Sequence, residues 1–203
     1  SVDIFVFNRV RRIMIDNTFW FFLQHNTIYA GIGSRETPQA ICTLMQECGS
    51  KFAHLGWLLR SGGAQGADTS FELGVDQFVS KLETPPVNAL KEIMLPWSLF
   101  ENNTSPYYRP TKQAYKLAES FHPAWHKLTQ GGKALQARNV HQILGLSCES
   151  PVDFVLCWTK DGKPSGGTGQ ALRIAMKHEI PIINLFDTSA VKLLTEFIRN
   201  HFQ

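Results

Sequence analysis

Leu58-Leu59-Arg60-Ser61-Gly62-Gly63-Ala64-Gln65-Gly66-Ala67-Asp68 decides the reading of this chain: an apolar run stops at a glycine turn, and the chain restarts as a helix. Glycine lets the main chain take positive φ and leaves an approaching anion unhindered by a Cβ. A helix that begins near Gly66 aims its first free N–H groups and the positive end of its dipole into the same space, an arrangement that suits phosphate. The same residues also suit a tight strand-to-helix turn that binds nothing, because short glycine motifs recur for conformational reasons alone.

The pattern repeats on either side of that stretch. Upstream, Ile28-Tyr29-Ala30-Gly31-Ile32-Gly33 reads as a short buried strand running into a glycine turn, with Ser34 and Arg35 just after it. Thr37-Pro38 supplies an N-cap and a proline at the first helical position. Ile41, Leu44, Met45, Cys48 and Phe52 then recur at helical spacing. A second strand is expected at 57–59, and Phe71, Val75, Phe78 and Val79 mark an amphipathic helix beyond Asp68. A third strand is expected at 92–97. The polar and aromatic segment 98–110 has no apolar periodicity and is longer than a connection usually runs, so it is expected to have a job.

Residues 111–128 read as helical as far as His122, where Pro123 interrupts; Gly131-Gly132 is expected to break the chain before a short helix at 133–144 carrying Arg138 and Asn139. The fourth strand, 152–158, is apolar throughout, as burial on both faces requires. A glycine-rich turn at 161–169 opens a helix through Ala171, Leu172, Ala175 and Met176. A strand at 181–185 and a helix with Val191, Leu194 and Ile198 close the pattern. Short apolar strands alternating with helices indicate βα units, hence an α/β Rossmann-like three-layer sandwich with an open, mainly parallel sheet of about five or more strands.

The 203 residues, 43% of them hydrophobic, are enough for one domain with a sizeable core. We divide them into an N-terminal arm, 1–26, and a Rossmann-like domain, 27–203. The net charge of +3 is too small to announce a polyanion-binding surface. Segment 13–23 holds Phe19, Trp20, Phe21 and Phe22, but Asp16 and Asn17 interrupt it. It falls short of the roughly 20 apolar residues of a spanning helix. The arm is expected to pack on the domain or form a dimer contact, with no membrane partner. Cys42, Cys48, Cys148 and Cys157 lack zinc-site spacing and disulfide-scaffold density. They read as reduced, buried thiols in a cytoplasmic protein. The histidines have no ligand spacing that survives Pro123, so no metal is expected.

Glycine-rich turns thus follow three strands: Gly31-Ile32-Gly33-Ser34-Arg35, Ser61-Gly62-Gly63-Ala64-Gln65-Gly66, and Pro164-Ser165-Gly166-Gly167-Thr168-Gly169. In a parallel sheet these ends share one edge, where ligands bind at the switch in strand order. Their convergence favours a phosphate-containing ligand.

These turns, with Ala137-Arg138-Asn139 and Ser165-Gly166-Gly167-Thr168-Gly169-Gln170-Ala171, resemble the SLOG superfamily of Rossmann-like domains over roughly residues 27–186. Within it the pattern is similar to the DNA-processing protein A (Smf) group, and more distantly to Lonely Guy-type phosphoribohydrolases and molybdenum-cofactor carrier proteins. The resemblance implies a nucleotide-type ligand or single-stranded DNA at the strand ends, and commonly a homodimer. Lonely Guy-type enzymes carry P-G-G-x-G-T-x-x-E, whose glutamate supports N-glycosidic cleavage. Here Gln170 replaces the threonine and Arg173 stands at the glutamate position, which favours binding over hydrolysis.

The expected function is therefore binding of a nucleotide or nucleotide derivative through phosphate-holding turns. The alternatives are a single-stranded-DNA-binding recombination mediator and a nucleoside-monophosphate N-glycoside hydrolase. Arg35 and Arg138 suit a forked grip on phosphate or, equally, a structural ion pair. Ser34, Ser61 and Thr168 can donate to phosphate or serve turns and caps. Asp68 and Glu72, four residues apart on one helix face, are the candidate carboxylates for ribose binding or acid–base work; otherwise Asp68 favours the helix start and Glu72 is solvated. Trp158, ending a strand beside the third turn, is the best candidate to stack on a base, ahead of Trp97, Tyr107 and Tyr108.

Overall fold

The computed structural model describes Leu23 and residues 26–202, so the arm expected at 1–26 lies almost wholly outside the described residues. Five strands, β1 (Ile28–Gly33), β2 (Leu58–Ser61), β3 (Lys91–Ile93), β4 (Phe154–Trp158) and β5 (Ile182–Asn184), pair in parallel in the order β3-β2-β1-β4-β5. Between and after them run α1 (Gln39–His54), α2 (Ala67–Val79), α3 (Lys112–Phe121), α4 (Gln130–Leu144), α5 (Gly169–Lys177) and α6 (Thr188–His201). The chain is an open-sheet α/β Rossmann-like sandwich.

Period-two alternation places each strand between two apolar layers. Along β4, Phe154, Leu156 and Trp158 join the core formed with α1, α2 and α6, while Val155 and Cys157 join the core formed with α3, α4 and α5. With both faces covered, the strand has no polar side to show, which explains its unbroken apolar run. The chain builds outward from β1 to β3, returns through α3 and α4 to β4 on the other side of β1, and ends on β5. The order therefore switches between β1 and β4, whose ends pair through Gly33 and Trp158.

Several local expectations need correction. Gly131 and Gly132 do not break the chain; Thr129 caps α4 by accepting the Gly132 N–H at 3.1 Å, so both glycines lie in the first turn. β2 runs past Leu59 through Arg60, a buried cation that the apolar reading of the strand does not foresee. The Arg60 guanidinium is 2.6 Å from Glu92, its register partner on β3, and donates to the Ser150 carbonyl at 2.5 Å. A buried charge with its donors satisfied is tolerable where an unpaired one is not. β3 is shorter than 92–97 because its partner changes: Met94 N–H donates to Ser61 O, but Leu95 N–H donates to Tyr107 O. Pro38, not Thr37, is the N-cap of α1, and Thr37 donates its hydroxyl to Ser34 O.

The segment 98–110 lacks periodicity because it is irregular but pinned. Leu99, Glu101, Asn102 and Arg109 take positive φ. Ser105 ties the segment to Ile93 O at 2.6 Å, and Asn103 ties it to Glu72 at 2.9 Å. The four cysteines are free and buried. No helix among the described residues is long and apolar enough to cross a membrane.

Candidate functional site: a cavity at the strand-order switch

A cavity of about 530 Å³ opens at the carboxyl ends of β1 and β4. The chain leaving β1 supplies Gly33, Ser34, Arg35 and Glu36; the chain leaving β4 supplies Thr159 and Lys160 and then the turn at 165–168. Ala64 and Asp68 close the side toward β2. The remaining wall is one face of α4, where Leu135, Arg138, Asn139 and Gln142 recur at helical spacing beside Gln136.

The turn at 61–66 does not offer its donors to this cavity. Asp68, one residue into α2 and 3% exposed, folds back onto it. Its Oδ1 accepts the Gly33 N–H at 3.1 Å, its Oδ2 accepts the Ala64 N–H at 3.5 Å, and the Arg138 guanidinium lies 3.9 Å away. Burial pushes the carboxyl up to about 6, against the opposing pull of Arg138 and of the Ala64 and Gly33 N–H groups. The chain's own carboxylate thus occupies the place expected for a ligand's anion. Gly66, the N-cap of α2 at φ +88°, is required for another reason: a Cβ there would meet Ser34 O at 2.8 Å and the Arg35 Cα at 3.0 Å. It seals the first turn against the second.

Other residues of that motif are structural as well. Ser61 donates to Gly31 O at 2.6 Å, Gly62 O accepts from Arg138, and Gly63 packs on Leu95 and Ile93. Gln65 reaches outward to Glu101 at 3.3 Å. Arg138 borders the cavity with its fork already engaged, by Gly62 O and by Asn139 Oδ1 at 3.1 Å. Asn139 in turn donates to Gly167 O at 2.9 Å, fastening the third turn to α4.

The third turn is open. A Cβ at Gly166 or Gly167 would have nothing within 4 Å, and the N–H groups of Gly166, Gly167 and Thr168 donate to no group among the described residues. They precede α5 directly, where a helix presents unpaired donors and the positive end of its dipole. The turn is braced from behind: Asp161 holds the Ser165 hydroxyl at 2.8 Å and the Lys163 N–H at 3.0 Å. Gly169 is buried against Pro164 O, inside the brace.

Two cations flank the opening. The Arg35 side chain is 60% exposed and sits 3.6 Å from Glu101; Lys160 meets Glu36 at 2.9 Å, with both side chains exposed. Exposed pairs of this kind are worth about 0–1 kcal/mol, so either cation is readily redirected.

Three expected site residues lie elsewhere. The Trp158 ring is buried in the core with Leu156 and Phe154, and only its carbonyl reaches the site, accepting the Ser34 N–H at 3.1 Å. Gln170 is fully buried, donating to Ala118 O at 2.8 Å and accepting from Arg173 at 3.0 Å, a tie between α3 and α5. Glu72 is held by Lys91 at 3.0 Å and by Asn103, away from the cavity. Conversely, Lys160, Gln136 and Gln142 escape the sequence reading. The amide positions lie among the many polar residues of α4, and only the fold shows which of them face the switch. Among the described residues no group of three or more His, Cys, Asp or Glu side chains could hold a metal ion. Compared with protein-family models, curated proteins and solved structures, the chain matches none of them.

Proposed function

We propose that this protein binds a nucleotide or nucleotide-derived molecule in the cavity between β1 and β4, with a phosphate on the turn at 165–168. The observation that carries this is the set of unpartnered N–H groups at Gly166, Gly167 and Thr168, on a cavity at the strand-order switch and at the start of α5. Such a turn stabilises an anion through backbone donors without the close approach of any Cβ. Arg35 and Lys160 reach the same opening and exchange Glu101 and Glu36 for phosphate oxygens. The resemblance to SLOG domains supports the same reading. Calorimetric titration with mononucleotides, ADP-ribose, NAD and cyclic dinucleotides tests it: saturable binding is expected, and no heat with any of them at millimolar concentration removes the reading.

One observation favours a second reading, N-glycoside hydrolysis: Asp68 is a carboxyl that titrates near neutrality on a cavity wall. Both its oxygens already accept backbone N–H groups, which favours binding over catalysis. Chromatography after incubation with AMP and dAMP decides between them, release of free base establishing the hydrolase.

A further inference from the structure

We infer that Gln142 is a specificity-determining residue that hydrogen-bonds the neutral part of the ligand, its sugar hydroxyls or the edge of its base, while the phosphate stays on the 165–168 turn. This deepens the nucleotide reading above and rests on it. Gln142 is 2% exposed, lines the cavity, and makes no hydrogen bond through its amide among the described residues. Its neighbours on the wall have partners: Asp68 with Gly33 and Ala64, Arg138 with Gly62 and Asn139, Asn139 with Gly167. The Gln142 Nε2 lies over Gly62, where a Cβ would come within 2.5 Å of it. Gly62 therefore leaves room for the amide as well as for Arg138. On the same helix the buried Gln136 Oε1 has no hydrogen-bond partner among the described residues.

The Gln142 amide has no protein partner among the described residues and faces the cavity, so a ligand that enters there can hydrogen-bond it. An amide presents one acceptor and two N–H donors in a plane, which matches hydroxyl and heterocycle edges. The anion is held instead at the 165–168 turn, while the Asp68 carboxylate on the wall disfavours a phosphate on that side. The ligand is thereby oriented, phosphate at the 165–168 turn and neutral ring toward Gln142 and Asp68. A site built to hydrogen-bond a ligand group discriminates strongly against analogues that lack it.

The test compares wild type, Gln142→Met and Gln142→Glu by calorimetry with inorganic phosphate, ribose 5-phosphate, AMP, GMP, CMP and UMP. Gln142→Met keeps the volume and removes both bonding groups; it is expected to lose roughly tenfold or more in affinity for the nucleotide that wild type prefers, with inorganic phosphate unchanged within about twofold. Gln142→Glu is expected to reorder the four nucleotides if the contact is to the base and to shift all four alike if it is to the sugar. A matching loss with ribose 5-phosphate places the contact on the sugar, and a loss confined to nucleotides places it on the base. If Gln142→Met binds the preferred nucleotide as wild type does, the inference falls and the nucleotide reading stands. If wild type binds none of the six, nor ADP-ribose, NAD or a cyclic dinucleotide, both fall. Should Gln142→Met unfold, Gln142→Glu carries the comparison: preferred-nucleotide affinity equal to that of wild type overturns the inference.

Discussion

Two glycine turns in this protein look alike as sequence and behave oppositely as structure. Ser61-Gly62-Gly63-Ala64-Gln65-Gly66 and Ser165-Gly166-Gly167-Thr168-Gly169 each join a strand of the sheet to a helix on the same edge. The first is filled by Asp68, which takes the Gly33 and Ala64 N–H groups; in the second the Gly166, Gly167 and Thr168 N–H groups have no partner among the described residues. The difference originates in the helix that each turn opens. An aspartate sits in the first turn of α2, whereas α5 begins Gly169-Gln170-Ala171 and has no acid to fold back. A glycine turn is thus an anion site only if the chain does not bring its own anion to it.

The harshest way to break this comparison is to empty the first turn. Asp68→Ala leaves the Arg138 guanidinium buried without its counter-ion, so a loss of about 3–5 kcal/mol is expected in denaturant unfolding. Inorganic phosphate should restore part of that loss and raise the melting temperature of the variant more than that of wild type. Equal responses would show that the turn is no anion site even when vacated.

Next in size is the pH dependence that Asp68 imposes. Its folded pKa of about 6 lies above the ordinary 3.8, so the folded state holds the proton more tightly than the unfolded chain. The contribution is present in full below about pH 4 and is lost as pH rises through about 6, on the order of 3 kcal/mol. The difference in unfolding free energy between wild type and Asp68→Asn, followed from pH 4 to 8, should move against wild type over that window. A flat difference would mean that Asp68 titrates normally.

The comparison can also be inverted at the other turn. Gly167→Asp places a carboxylate where the structure has open space and no positive φ to strain it. Nucleotide affinity should fall roughly ten- to hundredfold, since the new anion competes for the donors, while stability stays within about 0.5 kcal/mol. Unchanged affinity would move the phosphate elsewhere. The smallest effect is expected at the rim: Glu101→Gln releases Arg35 and should tighten nucleotide binding about two- to threefold, with stability altered by less than about 0.5 kcal/mol. Weaker binding would make Glu101 part of the grip on the ligand.

Much of the fold is legible because its cause is local. The apolar runs at 28–33 and 152–158, the helical spacing of Ile41 to Phe52, and the glycine-rich turns after β1, β2 and β4 state a backbone preference that the parallel sheet then uses. The errors also have local causes. Gly131-Gly132 reads as a break, although a capping Thr129 lets a helix begin on glycine. Arg60 hides inside an apolar run because its partner, Glu92, lies on another strand.

The site is legible only in outline. Gly33, Ser34, Arg35, Ala64, Asp68, Arg138, Asn139, Gly166, Gly167 and Thr168 do meet at one cavity, as the motif order suggests. Which of them are open to a ligand is not readable from sequence, because that depends on distant groups. Asp68 reaches Ala64 within its own turn, but its other oxygen ties that turn to Gly33, 35 positions away in sequence. Asn139 braces the third turn across 28 positions, and Trp158 is a core residue because alternation along β4 turns its ring toward α1, α2 and α6. By itself the sequence determined the alternation of strands and helices and that three glycine-rich turns share an edge, since backbone sterics and apolar periodicity act over a few residues. Only the tertiary structure decided which turn is occupied and which amides go unanswered, because hydrogen-bond satisfaction in a buried site is settled between segments that meet only on folding.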